Sequence, residues 1–126
     1  MTTEPEHTDP VPDLTIPLSA ADAQALGDDV GQLAERFGAV LHGLAQLRAG
    51  DASLDDLETT IATSADLLDR LGGIQNAAVR QHAAEGGSYG ELAKAMDVKR
   101  ATAQYRRDTL LKNDPSPMER WATGSN

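Results

Sequence analysis

A chain of 126 residues can hold one or two small domains, and none of its runs nears the ~20 apolar residues of a membrane span. Cysteine is absent, which excludes disulfides, thiolate catalysis and cysteine-held metals and fits a reducing cytoplasm, the expected location. One Phe, two Tyr and one Trp leave a core of Leu, Ala, Val and Ile, so the expected class is all-α.

The net charge of −9 argues against nucleic acid as a partner until its distribution is considered. Residues 1–78 carry fourteen acids against three arginines, or −11, whereas residues 79–112 carry seven cations against four acids, or +3. A duplex would repel the first segment and attract the second, which orients a protein better than uniform charge does.

Residues 1–18 hold Pro5, Pro10, Pro12 and Pro17 among acids and threonines and show no apolar period, which predicts a disordered acidic arm. Glu4, Glu6, Asp9 and Asp13 are the reverse of the positive start of a secretory signal. Ser19 with Asp22 three residues on is an N-cap pattern. From there Leu26, Val30, Leu33, Phe37, Val40, Leu44 and Leu47 alternate spacings of 4 and 3, a coiled-coil seam, with Ala34 and Leu41 widening the stripe. One long helix ending near Ala49-Gly50 is expected, on the order of 40 Å in length. Gly31, Gly38 and Gly43 each weaken it by about 1 kcal/mol relative to Ala, so it needs tertiary packing.

Ser53 with Asp56 marks a second start, and Leu54, Leu57, Ile61, Ser64, Leu68 and Leu71 continue the same alternation, with Leu67 and Ile74 beside it. So short a loop makes the two helices antiparallel. Residues 19–73 are therefore expected to form a helical hairpin. A hairpin buries one side of each stripe, so a second copy through Leu26, Val30, Leu33, Phe37, Val40, Leu44, Leu47, Leu57, Ile61 and Leu68 is the simplest completion, giving a homodimer. Folding back of the hairpin on the rest of its own chain is the alternative. Gly72-Gly73 either breaks the second helix or weakens it. Residues 74–112, beginning with Ile74, Ala77, Ala78 and His82, are expected to form a separate module, and residues 113–126, with Pro115 and Pro117, an irregular tail. Met118 and Trp121 there offer an anchor for a partner or are isolated apolar residues.

Within the module, residues 88–108 predict two short helices joined by a tight turn. Leu92, Ala93 and Met96 share one face, Ser88 caps the first helix, Val98 sits in the turn, and Ala101 and Ala103 begin the second helix. Glu85-Gly-Gly-Ser-Tyr-Gly-Glu-Leu-Ala-Lys-Ala-Met and Val98-Lys-Arg-Ala-Thr-Ala resemble the trihelical, homeodomain-like helix-turn-helix modules of bacterial repressors, resolvases and sigma factors, over roughly residues 75 to 111. Such modules usually have Gly where Asp97 stands, and Asp tolerates the left-handed conformation better than most residues. They tend to have Val or Ile where Ala103 stands, which leaves this core slightly underfilled.

The resemblance implies a second helix lying in the major groove of double-stranded DNA. Lys99, Arg100, Thr102, Gln104, Tyr105, Arg106 and Arg107 supply the donors and acceptors for it. Arg100 suits a guanine edge and Gln104 an adenine edge, Arg106, Arg107 and Lys112 suit phosphates, and Ser88 and Tyr89 could meet phosphates at a helix N-terminus. For each the alternative is a solvated charge or, for Tyr89, a packing residue. His7, His42 and His82 lack partners at metal-ligand spacing, and Asp28-Asp29 and Asp55-Asp56 have no accompanying nucleophile, so neither metal, cofactor nor catalysis is expected. The expected function is a sequence-specific DNA-binding transcriptional regulator acting as a homodimer. The rivals are a protein-binding adaptor or antitoxin-like protein gripping a partner through the acidic hairpin, and a plasmid or nucleoid maintenance factor.

Overall fold

The computed structural model describes residues 15–125, and within them every regular element is helical. In chain order these are α1 (Ala20–Leu26), α2 (Asp29–Ala49), α3 (Leu54–Ala84), α4 (Tyr89–Met96), α5 (Arg100–Leu111) and α6 (Pro117–Thr123). The expected acidic arm lies largely outside the described residues. The chain divides into two units, Met1–Ala34 and Glu35–Asn126.

In the first unit Ser19 caps α1 by accepting from the Asp22 N–H at 3.0 Å. The single long helix expected from the seam is interrupted here. Gly27 adopts φ 56° and ψ −133°, a conformation open to glycine, and its N–H closes the last turn of α1 on the Ala23 carbonyl. The side-chain period runs unbroken through this point because it does not register a backbone turn.

In the second unit α2 ends at Ala49, residues 50–53 turn the chain, and α3 starts at a complete capping box in which Ser53 and Asp56 exchange hydrogen bonds. The Ser53 backbone N–H is the main reason that the Asp56 carboxyl lies below its ordinary value. The antiparallel hairpin is held at Gly43, where any Cβ would collide with the Thr60 side chain, and at an ion pair between Arg36 and Asp66. The hydrogen bond from Arg36 is the largest influence holding the Asp66 carboxyl low. Little apolar surface is covered, and Gly43 and Leu67 are the buried positions along this stretch.

One open alternative is decided in the rest of the unit, and one expectation needs correction. Gly72-Gly73 does not break α3, which runs for 31 residues, about 46 Å at ~1.5 Å per residue, from the hairpin into what was expected to be a separate module. The tail is not irregular. Ser116 caps α6, Pro117 occupies its first turn, and the Glu119 carboxylate accepts from the Ser116 N–H at 3.0 Å. α6 lies against α3 so closely that a Cβ at Gly73 would meet the Met118 backbone. Gly73 is thus the place where α6 sits on α3, and that packing offsets the poor helix propensity of the diglycine.

α4 and α5 pack on each other, and α5 packs on α3. Val79, Leu92, Ala93 and Ala103 form the buried core there, with Met96, Val98 and Leu110 half-buried around it. Ala103 is fully buried (0% exposed), which is the close approach that a small residue permits.

Candidate nucleic-acid interface

The connection between α4 and α5 is Asp97-Val98-Lys99. Asp97 takes the left-handed conformation at φ 54° and ψ 50°, and its N–H closes α4 on the Ala93 and Lys94 carbonyls. Val98 donates to the Ala93 carbonyl at 3.0 Å, which completes the αL stop, and its side chain turns towards the core. Lys99 then takes an extended conformation and α5 begins at Arg100.

Ala103 faces inward from α5, so the opposite face is set by helical periodicity. Ala101 and Tyr105 lie opposite Ala103 with Arg100 and Gln104 at the flank, all four are exposed within the first turn and a half, and Lys99 is exposed just before them. Tyr105 is 72% exposed, unusual for an aromatic in a chain with so few. Arg106 and Lys112 are exposed beyond, and Thr102 is half-buried. No side chain caps the α5 N-terminus, where several backbone N–H groups lack an intrahelical partner.

Three of the residues expected to touch DNA have work inside the fold. Ser88 accepts from the Glu91 N–H at 3.0 Å while Glu91 accepts from the Ser88 N–H at 2.8 Å, and that backbone bond is the main cause of the lowered Glu91 carboxyl. Tyr89 donates its hydroxyl to Asp108 at 2.7 Å, joining α4 to α5. Arg107 lies over the Tyr89 ring at 3.9 Å from its centroid and donates to the Gly87 carbonyl at 2.7 Å. Its Nε is buried without a hydrogen-bond partner, so the guanidinium is held in place by the ring and one carbonyl. Tyr89, Asp108 and Arg107 together fix the angle between α4 and α5.

A residue that the sequence did not single out fixes the far end of α5. Arg80, on α3, donates to the Leu110 carbonyl at 3.0 Å and to the Asn113 carbonyl at 2.8 Å, satisfying acceptors where α5 ends. Its Nε pairs with Glu119 of α6, which is only 3% exposed. Burial pushes the Glu119 carboxyl up, but the Ser116 N–H, Arg80 and the Ser116 side chain outweigh it and hold it below the ordinary value. The readable signal for this cluster was Ser116-Pro117-Met118-Glu119, a capping box with proline at the first helical position.

A shallow cavity of about 570 Å³ is lined by Gln81, His82, Glu85, Gly87 and Glu91 among others. Among the described residues no group of three or more His, Asp or Glu is arranged to hold a metal ion, and no helix is long and apolar enough to cross a membrane. Comparison with protein-family models, curated proteins and solved structures returned no match.

Proposed function

We propose that α4 and α5 form a helix-turn-helix and that the chain is a sequence-specific DNA-binding transcriptional regulator acting as a homodimer. The observation that carries this reading is the exposed start of α5, where Lys99, Arg100, Gln104 and Tyr105 stand clear of the core after a three-residue turn. Arg100 and Gln104, one turn apart, are the base readers, since guanidinium and carboxamide each make paired hydrogen bonds to purine edges. Tyr105 and Ala101 offer apolar contact to a thymine methyl, and Lys99, Arg106 and Lys112 contact phosphates. Asp108 is the one acid on this side of α5; it lies beyond the end that enters the groove, and Tyr89 engages it. Tyr89 and Arg107 serve as scaffold instead of contacts, because their polar groups and ring are used between α4 and α5.

Selection from a random-duplex pool tests the reading. Arg100→Ala and Gln104→Ala should each lose about 1–3 kcal/mol on the preferred site and relax one base position, whereas Arg106→Ala should weaken all sequences alike. Equal losses on preferred and random duplexes for all three variants would reduce α5 to a backbone grip.

One observation favours a second reading, that of a protein-binding adaptor. The acidic half of the chain exposes large apolar side chains, Ile61 at 67% and Leu68 at 68% among them. Such an adaptor would not bind a duplex in a salt-dependent way, which separates the two.

A further inference from the structure

The exposed apolar side chains of the hairpin share one side of it. With about 100° per residue, and with Gly43 facing Thr60, helical geometry turns Phe37 and Leu44 of α2 to the same flank as Leu68 and Leu71 of α3, with Ile61 at its edge. Asp55, Asp66 and Asp69 project from other sides of α3, as does Glu35 from α2, and Glu58 stands at the rim beside Leu54 and Ile61, so the centre of the flank carries no carboxylate. A depletion of charge at its centre is what the core of an interface requires, and it removes the like-charge repulsion that two copies of an acidic hairpin would otherwise meet there. Six of the nine large apolar side chains between Phe37 and Ile74 that are more than a third exposed lie on this flank, namely Phe37, Leu44, Leu54, Ile61, Leu68 and Leu71, on the order of 600 Å² per copy, the lower end of the share that each partner gives to a specific interface. Leu54, Ile61 and Leu68 repeat every seven residues, the period at which a helix meets another helix.

The same helix that carries this flank also carries Val79 into the core beneath α5. Its weak point is Gly72-Gly73, and α6 is fastened across it. Trp121 stacks on Arg70 at 4.8 Å from the ring centroid on one side of the diglycine, Met118 fills the groove at Gly73, and Glu119 holds Arg80 on the other side. Arg80 in turn holds the end of α5.

We infer that the flank bearing Phe37, Leu44, Ile61 and Leu68 docks on a second copy of this chain, and that α6 splints α3 so that the two α5 helices are held at one separation. Given the DNA-binding reading above, on which this last consequence rests, the ligand is a duplex with two half-sites at a single spacing.

The experiment uses the full chain. Light scattering at micromolar concentration should give twice the 13.3 kDa chain mass, and Ile61→Glu and Leu68→Glu should halve it with helical circular dichroism unchanged, because both side chains are already exposed within one copy. A wild-type monomer, or variants that remain dimeric, would overturn the docking. The chain has no cysteine, so a single spin label at Thr109→Cys on α5 reports the distance between copies without DNA. One narrow distance is expected, widened at least twofold by Trp121→Ala. A broad wild-type distribution, or a width indifferent to Trp121→Ala, would overturn the splint. Selected duplexes should contain paired half-sites at one spacing. A dimer with a narrow distance that binds no duplex would refute the DNA reading and leave the docked, splinted pair standing, whereas half-sites at scattered spacings would refute the fixed separation.

Discussion

The two ends of α3 both carry apolar side chains and treat them differently. At the C-terminal end Val79 is covered by Leu92, Ala93 and Ala103, and two small helices and a turn suffice because the residues at the crossing are alanines. At the N-terminal end the leucines are more regular and more numerous, yet Leu54, Ile61 and Leu68 are left 79%, 67% and 68% exposed. A strong period specifies a helix and a face, but coverage depends on what the chain brings to that face. α2 meets α3 through a glycine, a threonine and an ion pair, contacts that set an antiparallel register without burying the stripe.

The contrast breaks most visibly under truncation of buried and exposed leucines. Leu92→Ala should destabilise the fold by about 2–5 kcal/mol, read as a fall in the denaturant midpoint, since Leu92 is 4% exposed and lies in the core. At concentrations too low for association, Leu68→Ala should change that midpoint by no more than about 0.5 kcal/mol. A large effect at Leu68 in the dilute chain would mean that the stripe is already covered within one copy.

The buried pair of α6 sharpens the comparison at the next magnitude down. Glu119→Gln should destabilise the C-terminal half by about 1–3 kcal/mol near neutral pH by leaving Arg80 short of its charged partner. Because folding lowers the Glu119 carboxyl from 4.5, its contribution is complete above that value and is lost as pH falls through the lower folded value. Denaturation curves of wild type and Glu119→Gln should therefore converge on acidification below pH 4.5. A gap that stays constant to pH 2 would assign the loss to shape instead of charge. The caps follow, with Ser53→Ala and Ser88→Ala each expected to lose about 1 kcal/mol, Ser53 from the hairpin end and Ser88 from the core end.

Local chemistry was the legible part of this chain. Ser19, Ser53 and Ser88 announced helix starts, Ala49-Gly50 a helix end, and Asp97 a left-handed turn, because each acts through hydrogen bonds within three or four residues. Two features escaped, and one alternative stayed open, for physical reasons. The break at Gly27 leaves the apolar period intact, so the period could not reveal it. The continuity of α3 through Gly72-Gly73 depends on Met118, 45 positions away in the chain. Arg80 reads as one more cation until its guanidinium is found joining α3, α5 and α6. For the candidate site, residue types suggested the exposed start of α5 but could not separate contacts from scaffold. Tyr89 and Arg107 carry the chemistry of DNA contacts and are committed to each other and to Asp108 and Gly87.

The central claim, that the start of α5 binds a duplex, is tested most directly by fluorescence anisotropy of the full chain on a labelled random-sequence duplex at ~50 to ~200 mM salt. The account predicts binding at the low end that weakens linearly on a logarithmic salt scale, by a slope of about 0.9 per phosphate contact. It also predicts a smaller slope for Lys99→Ala with Arg106→Ala. No binding at ~50 mM salt, where attraction to phosphates is least screened, would contradict it and leave the acidic, leucine-faced hairpin as the working part of the molecule.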